Sequence, residues 1–221
     1  MLNDGYKAII FDMDGVITDT EALHRQAEEA ACRHYGLDAP RAEWENFQGR
    51  TAENIFSYLI GKYGGGRQIS VPEIVDFKTR SYLDLVAQDL PVIPGVLEFI
   101  KLARRNLDGL ALATGSNRAV QRSVFDRYDL HRYFDAVVTG DEVRMAKPDP
   151  EAYLKASLKL GKNPAECLVI EDSDNGVRAG VSAGCRVIGI TTSFPRATLT
   201  ELGASIVVDA YDELTRLLDW H

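Results

Sequence analysis

Asp12 and Asp14 stand two positions apart at the end of a short apolar run, in the order Phe11-Asp12-Met13-Asp14-Gly15. In an extended chain a spacing of two puts both carboxylates on one side. Gly15 lets the backbone turn straight afterwards, which presents the pair at a strand tip. Residues 110–113 lead into Thr114-Gly115-Ser116-Asn117, a cluster of hydroxyl, amide and unhindered N–H groups that suits an anionic oxygen. Lys147 is carried by Lys147-Pro148-Asp149-Pro150, where two prolines stiffen the chain around one ammonium. Residues 168–170 then run directly into a second acidic pair, Glu171-Asp172. Taken singly, these are a turn, a helix cap, a solvated lysine and a polar loop. Their joint occurrence at successive strand ends is what the plain explanations fit poorly.

If the tips converge, Asp12, Asp14, Glu171 and Asp172 crowd, and two like charges about 4 Å apart repel by ~4 kcal/mol at an effective dielectric of about 20. A cation must then share the site. Oxygen-only ligands indicate Mg²⁺, and the absence of His or Cys near these positions argues against zinc. Mg²⁺, Lys147 and the hydroxyl and backbone donors together describe a site for a phosphoryl group.

The elements that must position these groups are short apolar runs at 8–11, 110–113, 136–138, 168–170, 187–190 and 206–208. Apolar on both faces, they suit a buried parallel sheet. Helical patterns at 96–105, 118–128, 151–160 and 176–183 alternate with them, the signature of an α/β fold. Asn163-Pro164-Ala165-Glu166 reads as a capped short helix ahead of the strand at 168. From about 20 to 90 the pattern is helical only: 21–35 stopping at Gly36, 52–63 after a Thr51 cap, and a helix to about 88 opened by Ser70-Val71-Pro72-Glu73. Thr18-Asp19-Thr20 and Pro91-Val92-Ile93-Pro94-Gly95 read as linkers around this insertion. The expected domains are an α/β core of 1–18 and 91–221 and a helical cap of 19–90, placed to act as a lid over the strand ends.

Composition agrees. The chain has 221 residues, 45% of them hydrophobic, enough for one globular domain with an insertion. Its 25 basic against 33 acidic side chains leave a net charge of −8, which disfavours nucleic acid and anionic membrane as partners. Cys32, Cys167 and Cys185 are odd in number and widely spaced, so packing in a reducing cytoplasm is expected rather than disulfides or zinc. The start MLNDGYK offers no signal-peptide core, and the expectation is a soluble cytoplasmic protein.

From Asp12 to Asp172 the order of residues resembles the haloacid dehalogenase superfamily of phosphotransferases, with the helical insertion in the corresponding place. The resemblance implies a Rossmann-like parallel sheet core with helices on both faces and an inserted α-helical cap. It implies Asp12 as nucleophile, Asp14 as general acid and base, and Thr114, Gly115 and Lys147 as the groups that hold the phosphoryl. Asp12, Asp172 and Asp14, through its carbonyl, would bind Mg²⁺, with Glu171 as a supporting acid of the metal site. Asp14 separates phosphate-ester enzymes from relatives that cleave carbon–halogen or phosphonate bonds. Gly15 through Thr20 with His24, and Lys78 four residues before Tyr82, look like β-phosphoglucomutase and sugar-phosphate phosphatases. Cap residues His24, Phe47, Gly49, Arg50, Thr51 and Lys78, with Ser116 and Asn117, are the candidates to meet the substrate; taken as plain surface chemistry, His24 and Lys78 would be exposed or solvated.

The mutase subgroup carries a cap arginine three residues after a glycine, whereas Gly49-Arg50-Thr51-Ala52 places Ala52 there. The expected activity is therefore hydrolysis of a small phosphorylated metabolite, a sugar or polyol phosphate, with the mutase as alternative and an idle binding relative as a third reading. Phosphoacceptor signalling domains share acids, hydroxyl and Lys-Pro, but lack a second acidic pair after the lysine and a large cap. Nothing in the sequence separates a monomer from a weak dimer.

Overall fold

The computed structural model describes residues 5–40, 43–44, 47 and 50–220. The chain divides into two compact units, residues 1–19 with 92–221, and residues 20–91.

The first unit is built on six parallel strands, β1 (Ala8–Phe11), β2 (Gly109–Ala113), β3 (Ala136–Val138), β4 (Cys167–Glu171), β5 (Arg186–Ile190) and β6 (Ile206–Val208), in the order β3-β2-β1-β4-β5-β6. Its helices are α4 (Val96–Asn106), α5 (Arg118–Tyr128), α6 (Glu151–Lys159), α7 (Asp174–Ser182), α8 (Arg196–Glu201) and α9 (Tyr211–Leu218). The two sheet faces differ in side-chain size. One carries Ala8, Ile10, Ala111, Ala113, Ala136, Val169 and Val187, small enough for α6 to seat Ala152, Tyr153 and Ala156 close against it. On the opposite face Phe11 meets Phe99 of α4 at 6.1 Å between ring centroids and Phe134 at 5.6 Å, and Phe99 meets Tyr211 of α9 at 4.9 Å and Trp220 at 5.4 Å. Helices therefore cover both faces, as an all-parallel sheet requires.

Register fixes where the chemistry lies. Phe11 pairs with Leu112 of β2 and Ile170 of β4, so the next residue, Asp12, stands level with Ala113 and Glu171. β2 and β4 each start one residue earlier than the apolar runs suggested, and Glu171 lies inside β4. α7 opens at Asp174 rather than at 176, because Ser173 Oγ accepts from Gly176 N at 3.1 Å and caps the turn in which Gly176 sits. Residues 163–166 form a capping box but only a single 3₁₀ turn, Pro164–Glu166. The segments expected as linkers are partly ordered into a ladder: Thr18, fully buried, bridges to Asp14 and Val92, and Ile93 N donates to Ile17 O at 3.0 Å.

The second unit holds α1 (Glu21–Tyr35), α2 (Ala52–Tyr63) and α3 (Val71–Gln88). Gly36 ends α1 in the left-handed conformation, φ 67°, while Thr51 and Ser70 cap α2 and α3 with their hydroxyls. Ala31, Cys32, Trp44, Phe47, Ile55, Phe56, Leu59 and Ile74 form its core. The three cysteines are buried and unbridged, and burial pushes the thiols of Cys32 and Cys185 up to about 12 and that of Cys167 to about 11. Among the described residues no helix is long and apolar enough to cross a membrane.

Phe99 is 1% exposed and closes the aromatic face, whereas Leu158 is 78% exposed. Phe99→Ala is expected to lower unfolding stability by ~3–5 kcal/mol, and Leu158→Ala to stay within about 0.5 kcal/mol; urea unfolding followed by tryptophan fluorescence compares them.

Candidate active site

Four adjacent strand ends deliver the site. Asp12 leaves β1 with its N–H bonded to Ile170 O at 3.1 Å, and Thr114 leaves β2 with its N–H bonded to Val138 O at 3.0 Å, so both side chains are aimed by the sheet itself. Asp12, Thr114, Glu171 and Asp172 are all buried. Lys147, expected in isolation to be solvated, is drawn in: its Nζ donates to Asp12 Oδ1 at 2.7 Å, Glu171 Oε1 at 2.7 Å, Tyr153 Oη at 2.8 Å and Ala113 O at 3.0 Å. Asp14 lies beside this group, its Oδ2 accepting from Ser116 Oγ at 2.8 Å. Ser116 N donates to Thr114 Oγ1 at 3.0 Å, which fixes the threonine side chain. A side chain at Gly115 would meet nothing within 4 Å, so this loop is open there. Asn117 Oδ1 caps α5 by accepting from Val120 N at 3.0 Å.

Glu171 is the most heavily bonded acid. Oε1 accepts from Lys147 and from Tyr153 Oη at 2.6 Å, and Oε2 accepts from Asp172 N, Ser173 N and Ser173 Oγ at 3.0 to 3.1 Å. Burial alone would raise it, but Lys147 and these donors hold its carboxyl below the usual range. Burial pushes Asp12 up to about 7 against the pull of Lys147, and pushes Asp172 well above the ordinary carboxyl range, with Glu171 and Asp12 adding repulsion. One carboxylate oxygen from each of Asp12, Glu171 and Asp172 lies within 4.8 Å of the others, a set that could hold a metal ion. All its ligand atoms are oxygens, which fits a hard divalent cation such as Mg²⁺ and not zinc. Because five hydrogen bonds already converge on Glu171, Asp12 and Asp172 are the acids of this group with more capacity for an ion.

Two glycines make room for the acids. Gly15, at φ +77°, turns the chain, and a Cβ there would lie 1.9 Å from Asp172 Oδ2. A Cβ on Gly176 would lie 1.7 Å from Glu171 Oε1. Tyr153 and Thr192 join the site without a motif of their own in the sequence. Thr192 Oγ1 donates to Gly15 O at 2.6 Å and stands 3.4 Å from Asp172 Oδ2, and Ser193 hydrogen-bonds Asp172. The hydroxyl-rich run Thr191-Thr192-Ser193 directly after β5 repeats the pattern of Thr114-Gly115-Ser116 after β2. Tyr153 carried no such signal, since an aromatic on an amphipathic helix reads as core.

In the helical unit, Lys78 is 8% exposed, not solvated, and its Nζ lies 2.7 Å from His24 Nδ1. His24 stacks on Tyr82 with centroids 4.1 Å apart. Thr51 is the α2 cap, Arg50 is exposed, and Gly49 lies outside the described residues.

Carboxylates, a largely enclosed lysine and a threonine gathered at the tips of neighbouring parallel strands define an α/β enzyme centre suited to an oxyanion. The chain belongs to the haloacid dehalogenase-like hydrolases, whose family pattern matches residues 6–184. It is 34% identical over 206 residues to a phosphorylated carbohydrates phosphatase of Thermotoga maritima, covering 91% of this chain and 94% of that one. It is 31% identical over 216 residues to the β-phosphoglucomutase of Bacillus subtilis, covering 95% and 92%. A crystal structure of a CbbY mutant from Rhodobacter sphaeroides in complex with xylulose 1,5-bisphosphate superimposes with a TM-score of 0.85 at 28% identity, covering 95% and 96%.

Gly-to-Ala in a helix ordinarily stabilises by up to about 1 kcal/mol. Gly61 in α2, with nothing within 4 Å of an added Cβ, should follow that rule, whereas Gly176→Ala must dislodge Glu171 from its buried partners. A loss of ~3 kcal/mol is expected for it, so thermal unfolding of the two variants should shift in opposite directions.

Proposed function

We propose that the protein is a Mg²⁺-dependent phosphatase that hydrolyses a small phosphorylated metabolite, a sugar or polyol phosphate, through a phosphorylated Asp12. The observation that carries this reading is the 2.7 Å contact of Lys147, its side chain only 11% exposed, with Asp12 Oδ1, beside buried Thr114 and Asp172. An Asp12 oxygen attacks phosphorus and the ester bond to the alcohol oxygen breaks, while Asp14 gives its proton to that oxygen. Water then attacks the acyl phosphate, Asp14 takes a proton from it, and inorganic phosphate leaves with Asp12 restored. Ser116 orients Asp14 for both transfers through its 2.8 Å hydrogen bond. Lys147, the Thr114 hydroxyl and the Gly115 backbone stabilise the phosphoryl oxygens. Asp12, Asp172 and the Asp14 carbonyl would hold Mg²⁺, which supplies charge neutralisation for the phosphoryl group, and Glu171 supports the set by anchoring Lys147.

The helical unit is proposed to serve as the cap, with His24, Gly49, Arg50, Thr51 and Lys78 contributing to substrate choice together with Ser116 and Asn117. The Thermotoga and Bacillus relatives bear the names of a phosphatase and a mutase on phosphorylated carbohydrates, which supports the substrate class. Ala52 opens α2 where the mutase pattern has an arginine, and exposed Arg50 stands two positions earlier, so hydrolysis is preferred over a bisphosphate-dependent mutase.

Phosphate release from a panel of sugar and polyol phosphates should be abolished by EDTA, restored by Mg²⁺, and lowered at least ~10³-fold by Asp12→Asn. Conversion of β-glucose 1-phosphate to glucose 6-phosphate with a trace of the 1,6-bisphosphate, and without free phosphate, would establish the mutase instead.

A further inference from the structure

An ammonium has three N–H bonds, yet Lys147 Nζ is surrounded by four oxygens, those of Asp12, Glu171, Tyr153 and Ala113. The four cannot be served equally. The Tyr153 hydroxyl has one proton, and its 2.6 Å contact with Glu171 Oε1 is made to a group that accepts. Its lone pair therefore faces Lys147 at 2.8 Å. The result is a closed triangle in which Lys147 reaches Glu171 twice, once directly and once through Tyr153. The tyrosine itself belongs to α6 and is fully buried between that helix and the sheet, its ring centroid 4.6 Å from the Lys147 nitrogen, so it acts on the site through the lysine.

We infer that Tyr153 is a positioning residue that releases one Lys147 N–H for the transferring phosphoryl group. When that N–H turns from Glu171 toward a phosphoryl oxygen, the Tyr153 hydroxyl keeps Glu171 Oε1 hydrogen-bonded, and the buried carboxylate is not left to pull the ammonium back. No bond is made or broken at Tyr153 and no proton leaves it. The inference rests on the phosphoryl-transfer reading of the site.

Tyr153→Phe keeps the ring and removes only the oxygen. The expected result is a kcat lowered about tenfold with KM unchanged, since the freed N–H matters most where charge develops. Orthovanadate, a mimic of the five-coordinate phosphoryl, should lose about the same factor in Kd by calorimetry, a readout that needs no turnover. Thermal unfolding is measured alongside. A lower Tm with unchanged kcat and vanadate affinity, or a raised KM alone, would overturn the role and leave Tyr153 as packing. If the unaltered enzyme releases no phosphate from any substrate, the phosphatase reading fails, and the vanadate comparison still decides for or against Tyr153: weaker binding supports it, equal binding overturns it.

Discussion

Three carboxylates and one ammonium share a water-poor pocket, and the rest of the sheet unit is arranged around keeping them there. Asp12, Glu171 and Asp172 would together carry three negative charges against the single positive charge of Lys147. Burying ions is costly unless each is paired and hydrogen-bonded, and this set is two positive charges short. The protein divides the load unevenly. Glu171 takes most of the donors and stays ionised, whereas Asp12 and Asp172 are pushed upward by burial. Those two acids are thus poised to gain most from a divalent cation, whose charge would make good the deficit. An ion bound there in the folded state alone would add to stability by mass action.

Holding the acids in place is a task for the backbone more than for the side chains. Asp12, Ala113 and Glu171 are level because β1, β2 and β4 pair in register, and a slip of one residue would turn each side chain to the opposite face. The small residues under α6 serve the same end. With alanines at 8, 111, 113 and 136, α6 lies close enough for Tyr153 to reach Lys147 and Glu171. Bulkier residues on that face would lift the helix and take the hydroxyl out of range. The opposite face is packed by the aromatic rings of Phe11, Phe99, Tyr211 and Trp220, away from the side that carries the site.

Much of this was legible in the sequence because it is local. Strand ends announce themselves where an apolar run meets Asp12, Thr114 or Glu171, and the helices of the second unit carry their own caps in Thr51 and Ser70. What escaped depends on distant partners. Lys147 is marked in the sequence as a site residue but its enclosure is not, because the β1 end, β2, β4 and α6 each supply one of its four oxygens, and Tyr153 looks like core until its hydroxyl is seen between a lysine and a glutamate. Thr192 reaches Gly15 across 177 positions of sequence. The segment 18–20 looked like a linker because its ladder partner at Val92 lies far along the chain. Helices α8 and α9 gave no comparable sequence signal, being only 6 and 8 residues long.

The helical unit repeats the physics of the core on a smaller scale. There an ammonium again has a close partner, Lys78 Nζ standing 2.7 Å from His24 Nδ1. Stacking of His24 in α1 on Tyr82 in α3 fixes the plane of the ring. Glu28, one turn after His24 on α1, is raised by burial while Lys78 and His24 draw it down, so its charge belongs to the same cluster. A buried lysine needs such a counter-charge. Where the core assigns its lysine to a fixed set of acids, this unit assigns its lysine to a histidine and an acid on a single helix face. Each unit of this chain thus holds one ammonium among its own partners.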